Sequence, residues 1–125
     1  MKLKIAPYQK QNLIWPQEGR HILAQYDKKS IIVYQAYRPS IANFALKQGY
    51  FGGEFKLTRM SWIKTNFLWM MYRSGWGTKI GQEKVLAIRL NRSFFDSLVE
   101  QAIPTIYDHK IYSNRDFWQK LVKKF

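Results

Sequence analysis

A chain of 125 residues is the size of one domain, and its 46% apolar and 17% aromatic content is enough to bury a core and escape disorder. With 21 Lys and Arg against 8 Asp and Glu the net charge is +13, which surrounds a small body with positive potential and favours polyanionic partners. The lack of cysteine excludes disulfides, thiolate metal sites and a cysteine nucleophile, and the longest apolar run, from Phe67 to Met71, is too short to cross a bilayer.

Residues 1–19, with Pro7 and Pro16 and few periodic apolar positions, read as an N-terminal arm that ends in the turn-like Pro16-Gln17-Glu18-Gly19. The first residues include Lys2 and Lys4 but no apolar stretch of secretory length follows, so a cytoplasmic protein is expected. A single domain is then expected over 20–125. His21 to Tyr26 and Ile31 to Ala36 are β-rich runs separated by Asp27-Lys28-Lys29-Ser30, the pattern of a hairpin. Pro39 suits a first helical turn, and Ile41, Ala42, Phe44 and Ala45 recur at helical spacing before Gly49, a C-terminal cap.

Past Gly52-Gly53, Phe55 to Met60 reads as a further extended piece. Asn66 caps a helix from Phe67 to about Arg73, and the run Lys84 to Leu90 has the apolar centre of an inner strand. Ser93 with Asp96 reads as a capping box opening a helix through Gln101 that buries Phe94 and Leu98. Asn114 then caps an amphipathic helix with Phe117, Trp118, Leu121, Val122 and Phe125 on one side and Lys120, Lys123 and Lys124 opposed. The expected fold is α+β, a single compact domain with a mostly antiparallel sheet and about three to four helices.

The charge is uneven. Between Lys28 and Arg92 the cations are opposed only by Glu54 and Glu83. Within that region, Arg59 to Lys79 combines Trp62, Trp69 and Trp76 with Arg59, Lys64, Arg73 and Lys79. If 67–73 is helical, Trp69, Tyr72 and Arg73 share one face while Phe67, Met70 and Met71 turn toward another, giving an aromatic-cationic side and a core side. Flat rings beside guanidinium groups stack bases and neutralise phosphates; the competing reading is that Trp62 and Trp69 are core residues and the cations solvated surface. Tyr34, Tyr37 and Arg38 form a smaller group of the same kind at a strand-to-helix junction. Gly75-Trp76-Gly77-Thr78-Lys79 has the residues of a phosphate-gripping loop, but its glycines follow the helix instead of preceding it, so a tight turn is the better reading.

For catalysis the inventory is thin. His21 and His109 stand far apart, no cluster has metal-ligand spacing, and no nucleophile motif such as Gly-x-Ser-x-Gly occurs. Neighbouring cations would hold Glu54 or Glu83 ionised, as a base or a ribose contact, against the commoner reading of a surface ion pair. Glu83 is the one catalytic candidate.

The segments Trp15-Pro16-Gln17, Gly19-Arg20, Ile22 to Asp27, Val33 to Pro39, Arg59 to Lys64, Phe67 to Lys79 and Gly81-Gln82-Glu83 together resemble the bacterial family called domain of unknown function 4291. The likeness runs from about Trp15 to Ala102, and the unbroken run ending at Lys79 makes it specific. It implies which residues matter without supplying an activity. It also implies that relatives continue past the point matching Phe125 into a strand-rich segment, so this chain is expected to be a shortened version, to lean on a partner chain, or to lack part of the family's function.

The expected function is a binding module for nucleic acid or a phosphate-bearing nucleotide, with Arg38, Arg59, Lys64, Arg73 and Lys79 on phosphate and Tyr37, Trp62, Trp69, Tyr72 and Trp76 stacking. One alternative is a nucleotide-dependent enzyme resembling ADP-ribosyltransferases, in which Tyr34 and Arg38 hold NAD and Glu83 steers the ribose. Another is a protein-interaction domain for an acidic partner. No metal and no membrane partner are expected.

Overall fold

A computed structural model describes residues 2–18, 21–104 and 107–124. Gly19 of the expected turn, Arg20 of the family-like segments and Phe125 of the last helix lie outside the described residues. The architecture is α+β: among the described residues there are five helices and one two-stranded antiparallel sheet, one helix more than the upper expectation. The chain forms two compact units, Met1–Arg92 and Ser93–Phe125.

In the first unit, α1 (Tyr8–Ile14) starts after Pro7 and buries none of its residues, and its Tyr8 ring meets Trp15 edge-on at 5.7 Å. The stretch ahead of α1 is tied down through Gln25, whose side chain accepts from the Lys4 amide at 2.9 Å and donates to the Lys2 carbonyl at 2.7 Å.

The sheet pairs β1 (Ser30–Tyr37) with β2 (Lys84–Asn91), in register from Ser30 opposite Asn91 to Tyr37 opposite Lys84. This corrects the expected hairpin. Residues 21–26 do not form a strand; only a bridge between Tyr26 and Ile31 remains, with the Ile32 amide donating to the Gln25 carbonyl at 2.9 Å. The turn itself is as its residues dictate, since the Asp27 carboxylate accepts from the amides of Lys29 and Ser30. β2 has one strand neighbour, and of its residues Leu86 is the buried one, so it is not the inner strand its apolar centre suggested. β1 takes the inner place, because Tyr34 exchanges backbone hydrogen bonds with Lys64 on its other edge, at 2.7 and 3.0 Å.

Alternation along the paired strands puts Tyr37, Leu86 and Ile88 on one face. There α2 (Pro39–Gln48) lays down Ile41 and Ala42, and Ala45, Phe51 and Phe55 close the cluster. Each fully buried side chain of this size stabilises by about 1.5–3 kcal/mol, enough to hold so short a helix on the sheet. Pro39 starts α2, and Gly49, left-handed at φ 81°, ends it, both as the sequence indicates. On the opposite face the ring of Tyr34 meets Phe67 edge-on at 5.4 Å. Phe67 opens α3 (Phe67–Arg73), which the Asn66 side chain caps by accepting from the Trp69 amide at 3.3 Å. Met70 is the buried residue of α3, whereas Phe67, expected on the core side with it, stays largely exposed. Residues 55–60 are a succession of turns and not the extended piece expected.

α4 (Arg92–Gln101), which lies in the second unit from Ser93 onward, includes Ser93 in its first turn instead of following it as a cap, and Phe94 and Leu98 are exposed, against the expectation that they are buried. α5 (Arg115–Lys124) starts at the Asn114 cap, which accepts from the amides of Asp116 and Phe117. Trp118 is its buried residue, with its indole N–H donating to the Pro104 carbonyl at 2.8 Å and its ring against Tyr107. Among the described residues, no helix is long and apolar enough to cross a membrane.

Candidate functional site

Where β1 hands over to α2, a groove of about 100 Å³ opens beside α3. Its floor is core: Tyr37, Ile41 and Met70 are all buried. Its walls are cationic, with Arg38 from the junction, Lys56 and Arg59 from the turns after Gly53, and Arg73 from the end of α3. Ser61, Trp62 and Gln82 complete the rim.

Trp62 and Arg73 are joined directly. The guanidinium lies 4.1 Å from the centre of the indole and Lys64 Nζ 5.5 Å from it, both within the range of a cation–π attraction. The contact holds the Arg73 charge at the groove, whose lining includes both residues. Arg38 lies 3.4 Å from Glu54, an exposed pair of little energetic weight, and Ser40 donates to the same carboxylate oxygen at 2.8 Å. Glu54 therefore behaves as the surface ion-pair partner that its surroundings in the sequence indicate.

Behind the rim, Tyr37, Gln35 and Ser61 close a ring of hydrogen bonds. The Tyr37 hydroxyl donates to Gln35 Oε1 at 2.8 Å, the Gln35 amide to Ser61 Oγ at 3.2 Å, and the Ser61 hydroxyl back to Tyr37 at 3.4 Å. This fixes the wall of the groove and commits the hydroxyl protons to one another.

The structure thus brings Tyr37, Arg38, Arg59, Trp62 and Arg73 together, with Lys64 held against Trp62 from outside the lining. Tyr37 does so as a core ring packed against Phe51 and Phe55, with its hydroxyl toward Gln35 and Ser61, and offers no open face for stacking. Tyr34 packs on Phe67, and partial burial raises its phenol pKa. Trp69, Tyr72, Trp76 and Lys79 do not line the groove; the three rings are 49%, 83% and 64% exposed. Glu83 is exposed next to Gln82 and is also outside the lining.

The glycine loop after α3 is a closed turn. Gly75, Trp76 and Gly77 all adopt positive φ, and the amides from Gly75 to Lys79 donate in turn to the Tyr72 and Met71 carbonyls, Ser74 Oγ, and the Gly75 and Ser74 carbonyls. With its N–H groups so committed, the loop has no amide nest to offer an anion. Ser74 is fully buried at its centre and also donates to the Met71 carbonyl at 3.2 Å.

Lys56, Ser61 and Gln82 are groove residues that the sequence reading did not single out. Ser61 and Gln82 had a signal, since each lies in one of the family-like segments. Lys56 had none beyond its charge. Among the described residues no group of three or more His, Asp or Glu could hold a metal ion.

No curated protein and no solved structure matches the chain. A family model does, over residues 21–125, which takes in both strands, the groove and the last helix. The chain belongs to the family described as Domain of unknown function (DUF4291).

Proposed function

We propose that the protein is a binding module for nucleotide phosphate, carried by a single-stranded nucleic acid or by a free nucleotide, and that the groove between β1, α2 and α3 is where the anion sits. The observation that carries this reading is the stack of Arg73 on Trp62 beside Arg38, Lys56 and Arg59, four cations around one small opening. Repulsion among them is relieved by an anion, and Glu54, paired with Arg38 at the edge, offsets only part of it. The net charge of +13 adds a long-range pull toward any polyanion.

Exposed Trp69, Tyr72 and Trp76 around the end of α3 supply flat surfaces for bases outside the groove, each base–ring stack contributing about 1–3 kcal/mol. Binding of a labelled single strand, followed by anisotropy across a salt series, tests the reading. Affinity should fall steeply with salt, with a slope of about −0.7 for each phosphate neutralised, and Arg59→Gln or Arg73→Gln should flatten it. An affinity indifferent to salt and to both substitutions would refute the proposal.

A further inference from the structure

We infer that the groove is built for a terminal phosphate monoester and favours a phosphorylated strand end over an internal phosphodiester; this rests on the phosphate-binding reading above. Size is the first reason. About 100 Å³ holds a few waters or one tetrahedral oxyanion, and falls short of the roughly 300 Å³ at which pockets begin to enclose a whole small molecule. A phosphate then fills the groove and leaves its sugar and base outside, and Trp69, Tyr72 and Trp76 are exposed rings that are not part of the lining.

The second reason is the floor. Ile41, Met70 and Tyr37 are core residues, so the groove is blind at its base. A phosphate with one substituent enters with three free oxygens leading, whereas a diester must keep two chain segments at the mouth and presents only two. Charge is the third. A monoester carries about −1.5 to −2 at neutral pH against −1 for a diester, and Arg38, Lys56, Arg59 and Arg73 better match the larger value. The donors are suited to it as well, since guanidinium groups make paired, planar bonds to phosphate oxygens.

The groove does not distinguish a 5′ from a 3′ phosphate by these features, so both belong in the test. Single strands of about eight nucleotides, within the site size of a small binding module, would carry a 5′-phosphate, a 3′-phosphate or hydroxyls at both ends, with the label placed internally. At least one phosphorylated strand should bind about tenfold more tightly than the hydroxyl strand, the effect of one additional charge-assisted hydrogen bond. Arg59→Gln should reduce that advantage to about twofold or less, while Lys28→Gln, at an exposed turn away from the groove, should leave it intact. Three strands binding alike, with salt still weakening all of them, overturns the end preference and leaves the wider reading standing. Failure of every strand to bind overturns the end preference, and failure of a free nucleoside monophosphate to bind as well overturns the wider reading.

Discussion

The guanidinium of Arg73, at the last residue of α3, rests 4.1 Å from the ring centre of Trp62, in the loop that leads back to β1. The contact fixes a charge at the rim that would otherwise sweep through solvent. Trp62→Ala should release it, lowering stability by about 0.5–1 kcal/mol and weakening single-strand binding by about twofold to fivefold, with Trp62→Phe intermediate. Unchanged binding in the alanine variant would show that the stack does not aim Arg73 at the ligand.

Met70 is the one buried side chain of α3. Met70 is 1% exposed, and Met70→Ala leaves a hole beneath both the helix and the groove, at a cost of about 2–5 kcal/mol. The urea midpoint should fall with an unchanged slope, as for a loss of stability without a change in the surface exposed. A loss below about 0.5 kcal/mol would mean that α3 is held by something other than this contact.

Two left-handed glycines should respond differently to alanine. At Gly49, φ 81°, a new Cβ meets nothing within 4 Å, so Gly49→Ala costs only the strained backbone, about 1 kcal/mol. At Gly77, φ 77°, the Cβ comes 3.1 Å from the Glu83 carbonyl oxygen, which belongs to backbone and cannot swing away. Gly77→Ala should therefore be the more destabilising by about 1 kcal/mol in thermal or chemical denaturation, and equal effects would contradict the close approach.

Acid should erode the turn ahead of β1. The amides of Lys29 and then Ser30 donate to Asp27 and hold its pKa below the ordinary carboxylate value. The folded chain thus keeps this carboxylate charged to a lower pH than the unfolded chain does. Its contribution is present above the usual carboxylate range and is lost as pH falls through the lowered folded value. Asp27→Ala should be less stable than the parent near neutral pH, and the difference should close on acidification. A difference that persists undiminished into strong acid would place the effect elsewhere.

What the sequence made legible was local. Asn66, Pro39 and Gly49 mark helix ends through bonds and dihedrals within a turn of themselves, and the structure uses each where it stands. β2 was readable as a strand because its apolar run is continuous, but its place in the sheet was not, since that depends on which distant segment claims β1. Residues 21–26 looked like the partner because they are near and apolar; Lys84–Asn91 won the long edge, and Lys64 took part of the other.

The groove divides along the same line. Trp62 and Arg73 stood out by composition, yet nothing in the sequence told that they would touch while Trp76 and Lys79 fell outside. Lys56 and Gln82 reach the groove from turns whose approach is set by Phe55 against the core and by the closed loop after α3. Such contacts are non-local and leave no periodic trace.

The most direct measurement is a titration of the isotope-labelled protein with a single strand, followed by backbone amide and tryptophan indole resonances. The Trp62 indole and the amides of Arg38, Arg59 and Arg73 should shift together, at one apparent affinity, with little change at Lys28 or Lys110. Shifts confined to other basic surfaces, with Trp62 and Arg73 unmoved at saturation, would contradict it.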